Sequence, residues 1–146
     1  MNGTRHRGFT LIELLITLVI MVTIVAVAVP KFSRAMTYVE LRKSTQQIAA
    51  SLRKVRNDSL VESRVTELIV ASDTQSLRSP DDAIVYQWPD DIIVEMANRA
   101  PSFDDADPVL KFFPDGSATD SMLTVTALER SYTITVDWLT GRVQVL

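Results

Sequence analysis

The sequence contains no cysteine. A disulfide framework and a thiolate metal site are therefore both excluded. Histidine is nearly as scarce, since the single one, His6, stands among the first eight residues. The rest of the chain can build neither a Ser-His-Asp or Cys-His catalytic group nor an imidazole metal site. No internal repeat and no low-complexity tract is present, and the C-terminal Val143-Gln144-Val145-Leu146 carries no basic tail. The formal net charge is −3, which offers no global attraction for nucleic acid or anionic lipid. From these absences we expect no enzyme: no catalytic residues, no metal and no cofactor.

At 146 residues the chain allows one modest domain, and its composition is ordinary at 47% hydrophobic and 23% charged. The distribution is not ordinary. Residues 9–29 hold a single charged side chain, Glu13, and 14 of these 21 residues are Leu, Ile, Val or Phe. As a helix the segment would reach about 31 Å, the thickness of a bilayer's hydrocarbon layer. Its aliphatic residues contribute about −4 to −8 kcal/mol to insertion, against roughly +3 kcal/mol for a central carboxylate and less near the end. Insertion wins. Arg5, His6 and Arg7 precede the segment without any acid, so that end stays cytoplasmic. Lys31 and Arg34 beyond the segment weaken this asymmetry without reversing it.

Two plain readings compete for this segment. Ala26-Val27-Ala28 has the form of a signal-peptidase site, but the apolar run is too long for one and Pro30 follows at once. A simple anchor would have no use for Glu13. A carboxylate in hydrocarbon calls for a cationic partner, and residues 9–29 contain no Lys, Arg or His. A cut just before Phe9 would create one, as a new α-amino group. The pair could form within one chain, across one helical turn, or between two chains.

Gly8-Phe9-Thr10-Leu11-Ile12-Glu13-Leu14-Leu15, behind a short basic leader and ahead of a long apolar run, resembles the class III signal of type IV pilins and type II secretion pseudopilins. The resemblance implies processing between Gly8 and Phe9 by a prepilin peptidase/methyltransferase, N-methylation of Phe9, and assembly through Phe9 and Glu13. Glu13 would pair with the N-terminal amine of a neighbouring subunit. Loss of residues 1–8 removes Arg5 and Arg7 and takes the side-chain charge from −3 to −5.

Beyond the apolar run, Leu41, Thr45, Ile48, Leu52, Val55 and Ser59 recur at helical spacing, with Ala49 widening the stripe. The helix is expected to bend or continue through Pro30 and to lay its second half on a globular domain. After Ser63 the period shortens toward two. Residues 65–71, 83–88, 92–96, 109–113, 122–127, 132–137 and 142–146 read as strands, with Pro-Asp turns at 80–82, 89–91 and 114–117 and a hairpin at Leu139-Thr140-Gly141. Residues 98–108 read as a mobile loop. Its Asp104, Asp105 and Asp107 lack the spacing of a calcium loop and read as solvated. Arg53, Lys54 and Arg56 read as a solvated helix face, and nucleic acid is not expected there. Trp88 and Trp138 read as core anchors, with contact to a neighbouring subunit as the alternative.

The run from Phe112 to Thr119 with Pro114-Asp115-Gly116, followed by Tyr132-Thr133-Ile134-Thr135-Val136-Asp137 and Thr140-Gly141-Arg142-Val143, is similar to the GspH/FimT family of minor pseudopilins and minor pilins. That resemblance implies an α+β fold, a long N-terminal helix packed on a small antiparallel two-sheet β-domain. It divides the chain into a leader (1–8), a transmembrane half-helix (9–29), a periplasmic amphipathic half-helix (30–63) and a β-rich domain (64–146). It implies a single-pass protein of the bacterial inner membrane with other pilins or pseudopilins, the peptidase and membrane lipid as partners. The expected role is structural, in the pseudopilus of a type II secretion system. The alternatives are a minor pilin of type IV pili or a signal-anchored periplasmic binding domain.

Overall fold

The computed structural model describes residues 9–98 and 108–146. Gly8 and the acidic residues Asp104, Asp105 and Asp107 lie outside them. The first element is helix α1, Leu11–Glu62, and the chain falls into two compact units, Met1–Met36 and Thr37–Leu146.

In the first unit the described part of α1 buries nothing. Every large apolar residue from Leu11 to Val27 is exposed, and the helix is long and apolar enough to cross a membrane. Its threonines conceal their own hydroxyls: Thr17 donates to the Leu14 carbonyl at 2.9 Å and Thr23 to the Val19 carbonyl at 2.8 Å. Such back-bonding removes a polar group from an apolar surface without a partner chain.

In the second unit the expected stripe faces the core. Leu41, Ile48 and Leu52 are fully buried, and Thr45 and Ser59 nearly so. The buried hydroxyls are satisfied, by Leu41 O for Thr45 at 2.8 Å and by Arg56 O for Ser59 at 2.7 Å. The helix stops where Ser63 takes a left-handed φ of 50°, the usual way to end a helix when no glycine is present.

Eight strands follow among the described residues: β1 Thr66–Ala71, β2 Ser76–Arg78, β3 Ile84–Gln87, β4 Ile93–Asn98, β5 Val109–Phe112, β6 Ser121–Ala127, β7 Arg130–Val136 and β8 Val143–Val145. They form two antiparallel four-stranded sheets, ordered β3-β2-β1-β5 and β4-β6-β7-β8. Seven strands match the sequence reading to within a few residues. The eighth, β2, is a correction: three residues are too few to show alternation, and the strand is defined only by its pairing with β1 and β3.

Leu68, Leu77, Leu110, Phe112, Leu123 and Ile134 join the helix stripe in one core. Trp88 belongs to it at 3% exposure, as expected. Trp138 does not. At 58% exposure it stands outside the core, because it lies past the end of β7 in the turn to β8.

Candidate functional site

The N-terminal site is built on the first turn of α1. A helix leaves its first backbone N–H groups without partners. Here Thr10 is the cap: its hydroxyl accepts from the Glu13 N–H at 3.3 Å and its carbonyl from the Leu14 N–H at 3.2 Å. Thr10 and Glu13 are three apart, the spacing of a capping box, a signal present in the sequence that identifies Thr10 as a positioning residue. The cap sets where the helix begins, and so places Glu13 in its first turn, one residue short of a full turn beyond Thr10.

Phe9 is 79% exposed at the head of this turn. Thr10, Thr17 and Thr23 all bond to the helix backbone, whereas the Glu13 carboxylate has no hydrogen bond or ion pair among the described residues. The positive end of the helix dipole favours an anion at this position. It leaves the carboxylate with acceptor capacity for a cation from outside the helix.

A second constellation sits at the far end of the chain. The β7–β8 turn is closed by Gly141 N–H donating to Asp137 O at 2.8 Å. The Asp137 carboxylate accepts from the Thr140 N–H at 2.9 Å and from its hydroxyl at 2.7 Å. Arg56 then grips the turn from α1, donating from Nε and Nη2 to Thr140 O at 3.1 and 2.7 Å. Arg53 donates to Val143 O at 3.2 Å. This corrects the reading of the basic cluster as a solvated face. Lys54 and Arg53 are exposed, but Arg53 and Arg56 clamp the C-terminal turn to the helix. Sequence reasoning had no signal for it, since carbonyl acceptors carry no residue type.

The hydroxyl and amide of Thr140 stabilise the ionised form of Asp137 and hold its carboxyl below the ordinary value of 3.8, and those of Ser117 do the same for Asp115. A lowered folded-state value means that the stabilisation is fully present above 3.8 and is lost as pH falls through the folded-state value. Urea midpoints are expected to hold steady from pH 7 to about 5 and to fall below about 4. Asp137→Asn should flatten part of that acid limb.

Residues 3–29 match the family described as the prokaryotic N-terminal methylation motif. That span contains Gly8, Phe9 and Glu13. The fold is pilin-like: a long N-terminal helix packed on two antiparallel four-stranded sheets. Among solved structures the chain is similar to the minor pseudopilin EpsH from the type 2 secretion system of Vibrio cholerae, with a TM-score of 0.57 at 13% identity over 73% of this chain and 95% of that one. It is similar also to the type IV minor pilin FimU of Pseudomonas aeruginosa, with a TM-score of 0.56 at 12% identity over 75% of this chain and 90% of that one. No curated protein sequence matches it. The chain thus carries a type IV pilin-like fold of the minor pilin and pseudopilin kind behind a methylation motif.

Proposed function

We propose that this chain is a structural minor pseudopilin that joins the periplasmic filament of a type II secretion system. A prepilin peptidase removes residues 1–8 by cutting between Gly8 and Phe9, and Phe9 is N-methylated. Residues 9–29 hold the subunit in the inner membrane with the N-terminus cytoplasmic. The amphipathic half-helix (30–63) and the β-rich domain (64–146) stand in the periplasm. One observation carries this reading: the Glu13 carboxylate is unpartnered among the described residues, whereas Thr10, Thr17 and Thr23 around it are satisfied by the helix backbone. In hydrocarbon such a carboxylate is costly alone and far less so beside an ammonium, and cleavage at Phe9 supplies an ammonium on every subunit. The same physics serves a minor pilin of a type IV pilus, and the fold resembles a solved example of each.

Intact-mass measurement of membrane-extracted protein should show loss of residues 1–8 and gain of one methyl group. An N-terminus at Val29 would instead establish a signal peptide. Glu13→Ala should leave membrane insertion intact and reduce co-purification with other pilins by tenfold or more, as expected on removal of one partner of a desolvated ion pair, roughly 3–5 kcal/mol. Undiminished co-purification would remove Glu13 from the assembly mechanism.

A further inference from the structure

Three arginines meet at one hollow of the folded domain. It holds about 360 Å³ and is lined by Arg53, Arg56, Thr140, Gly141, Arg142 and Val143. The first two arginines stand on α1, and the third directly precedes β8. Acidic residues outnumber basic ones in this chain, 18 to 15, yet none of the described ones lines the hollow. Arg53, Arg56 and Arg142 form no ion pair among the described residues. The carboxylate of the same turn, Asp137, is engaged instead by the Thr140 N–H and hydroxyl.

Two of the guanidiniums are held in place by neutral acceptors. Arg56 gives Nε and Nη2 to the Thr140 carbonyl and is wedged beside Gly116 and Gly141. Arg53 gives Nη2 to the Val143 carbonyl. A carbonyl satisfies a donor without cancelling the charge, and a guanidinium carries more donors than these bonds use. Arg142 is exposed, and the bonds it makes among the described residues run through its backbone. Three like charges around one hollow repel, and an anion placed among them relieves that repulsion.

The surroundings choose the anion. Guanidinium forks match a carboxylate or a phosphate in bidentate geometry. A nucleic acid brings an extended run of charge toward a chain that is itself acidic, at −3 with residues 1–8 and −5 without them. A single carboxylate brings one charge to one hollow. Beside it, directly ahead of Thr140, Trp138 and Leu139 are 58% and 62% exposed. The turn that carries them is fixed, since the Trp138 carbonyl accepts from the Ala118 N–H at 2.8 Å. A basic hollow flanked by a rigid apolar surface complements an acidic side chain with an apolar neighbour, which is a protein surface.

We propose that this hollow receives an Asp or Glu carboxylate of a different pilin-type subunit, with an apolar residue of that partner against Trp138 and Leu139. The proposal rests on the reading of this chain as a minor filament subunit and names the chemistry of its neighbour. A minor subunit is outnumbered in its filament, so the chains it meets are other proteins and not copies of itself. Trp and Arg are the residue types that dominate interface energetics, and donors already immobilised lose little entropy on docking.

The test uses the full chain in cells that process it. p-Benzoylphenylalanine replaces Leu139, an exposed position, and the adduct formed on irradiation is mapped by mass spectrometry. The expected adduct joins this chain to a different protein with its own N-terminal methylation motif, at a peptide with Asp or Glu close to the cross-link. Arg142→Glu in the same chain should lower the adduct roughly tenfold, and exchanging that partner carboxylate for arginine should restore it. Arg142→Gln, which removes the charge without reversing it, should act in the same direction, and thermal melts establish that each variant is folded. Purified full-length protein in detergent should leave a fluorescent single-stranded oligonucleotide unbound. Salt-sensitive binding of that probe, lost on Arg142→Glu, would make the hollow a phosphate site and overturn the proposal. It is overturned equally by no adduct, by an adduct between two copies or to a protein without the motif, or by indifference to Arg142→Glu. Processing at Phe9 and Glu13-dependent co-purification are scored in the same cells. If both hold while the adduct ignores Arg142, the carboxylate site alone fails; if neither holds, the filament reading fails and this proposal with it.

Discussion

Phe112→Ala is expected to remove about 3–5 kcal/mol of stability, the usual cost of truncating a fully buried aromatic ring. Phe112 is completely buried and lies at the end of β5, where several parts of the domain converge. It pairs with Thr66 at the start of β1 and bridges to Ala118 in the loop leading to β6. Its ring shares one core with Leu41, Ile48 and Leu52 of the helix. Collapse around the cavity is limited, because helix and both sheets would have to move together. A domain of this size has about 5–15 kcal/mol in all, so the variant should lose much of its urea resistance. Leu139→Ala, at an exposed position, should lie within about 0.5 kcal/mol of the parent. Equal midpoints for the two variants would mean that Phe112 does not occupy the core described.

Gly141→Ala is expected to cost about 3 kcal/mol and to lower the melting temperature by roughly 12 °C. Two effects add. Gly141 has φ of +60°, and a left-handed conformation costs a residue with a Cβ about 1–2 kcal/mol. A Cβ there would also lie 2.4 Å from the Gly116 carbonyl oxygen and 2.8 Å from Arg56 Nε. The first of these atoms is backbone and cannot step aside, and the second is part of the clamp on Thr140. Gly116→Ala is the control. Its φ of +87° is equally unfavourable, but the nearest atoms would be 3.5 and 3.7 Å away. It should cost only the backbone strain, about 1–2 kcal/mol. If the two variants melt together, the close packing of Gly141 against Gly116 is wrong.

Much of the helix was legible because its core face repeats at helical spacing. Leu41, Thr45, Ile48, Leu52 and Ser59 are all buried, and Val55 is half-buried among them. The longer strands were legible for the matching reason, since alternation over six or seven residues marks β1, β6 and β7. β2 was not, and neither was the register shift between Leu77 and Arg78 where β2 pairs with β3. Trp138 shows the same limit from another side. An aromatic beside a turn is consistent with anchoring the core or with standing clear of it, and only the path of the chain after β7 chooses.

At the helix start, sequence alone carries the chemistry. Residues 9–29 bring an apolar length matched to a bilayer, one carboxylate and no cation, and these are properties of residue type and order that hold before any tertiary contact forms. The other end of the molecule is different. Arg56 reaches the Thr140 carbonyl across 84 positions of sequence, a side chain at Gly141 is barred by the Gly116 carbonyl beside it as well as by its left-handed backbone, and β8 and β4 close opposite edges of one sheet. Those facts belong to the folded chain: backbone carbonyls and strand order have no signature in side-chain composition, and tertiary packing alone brings distant groups within bonding distance.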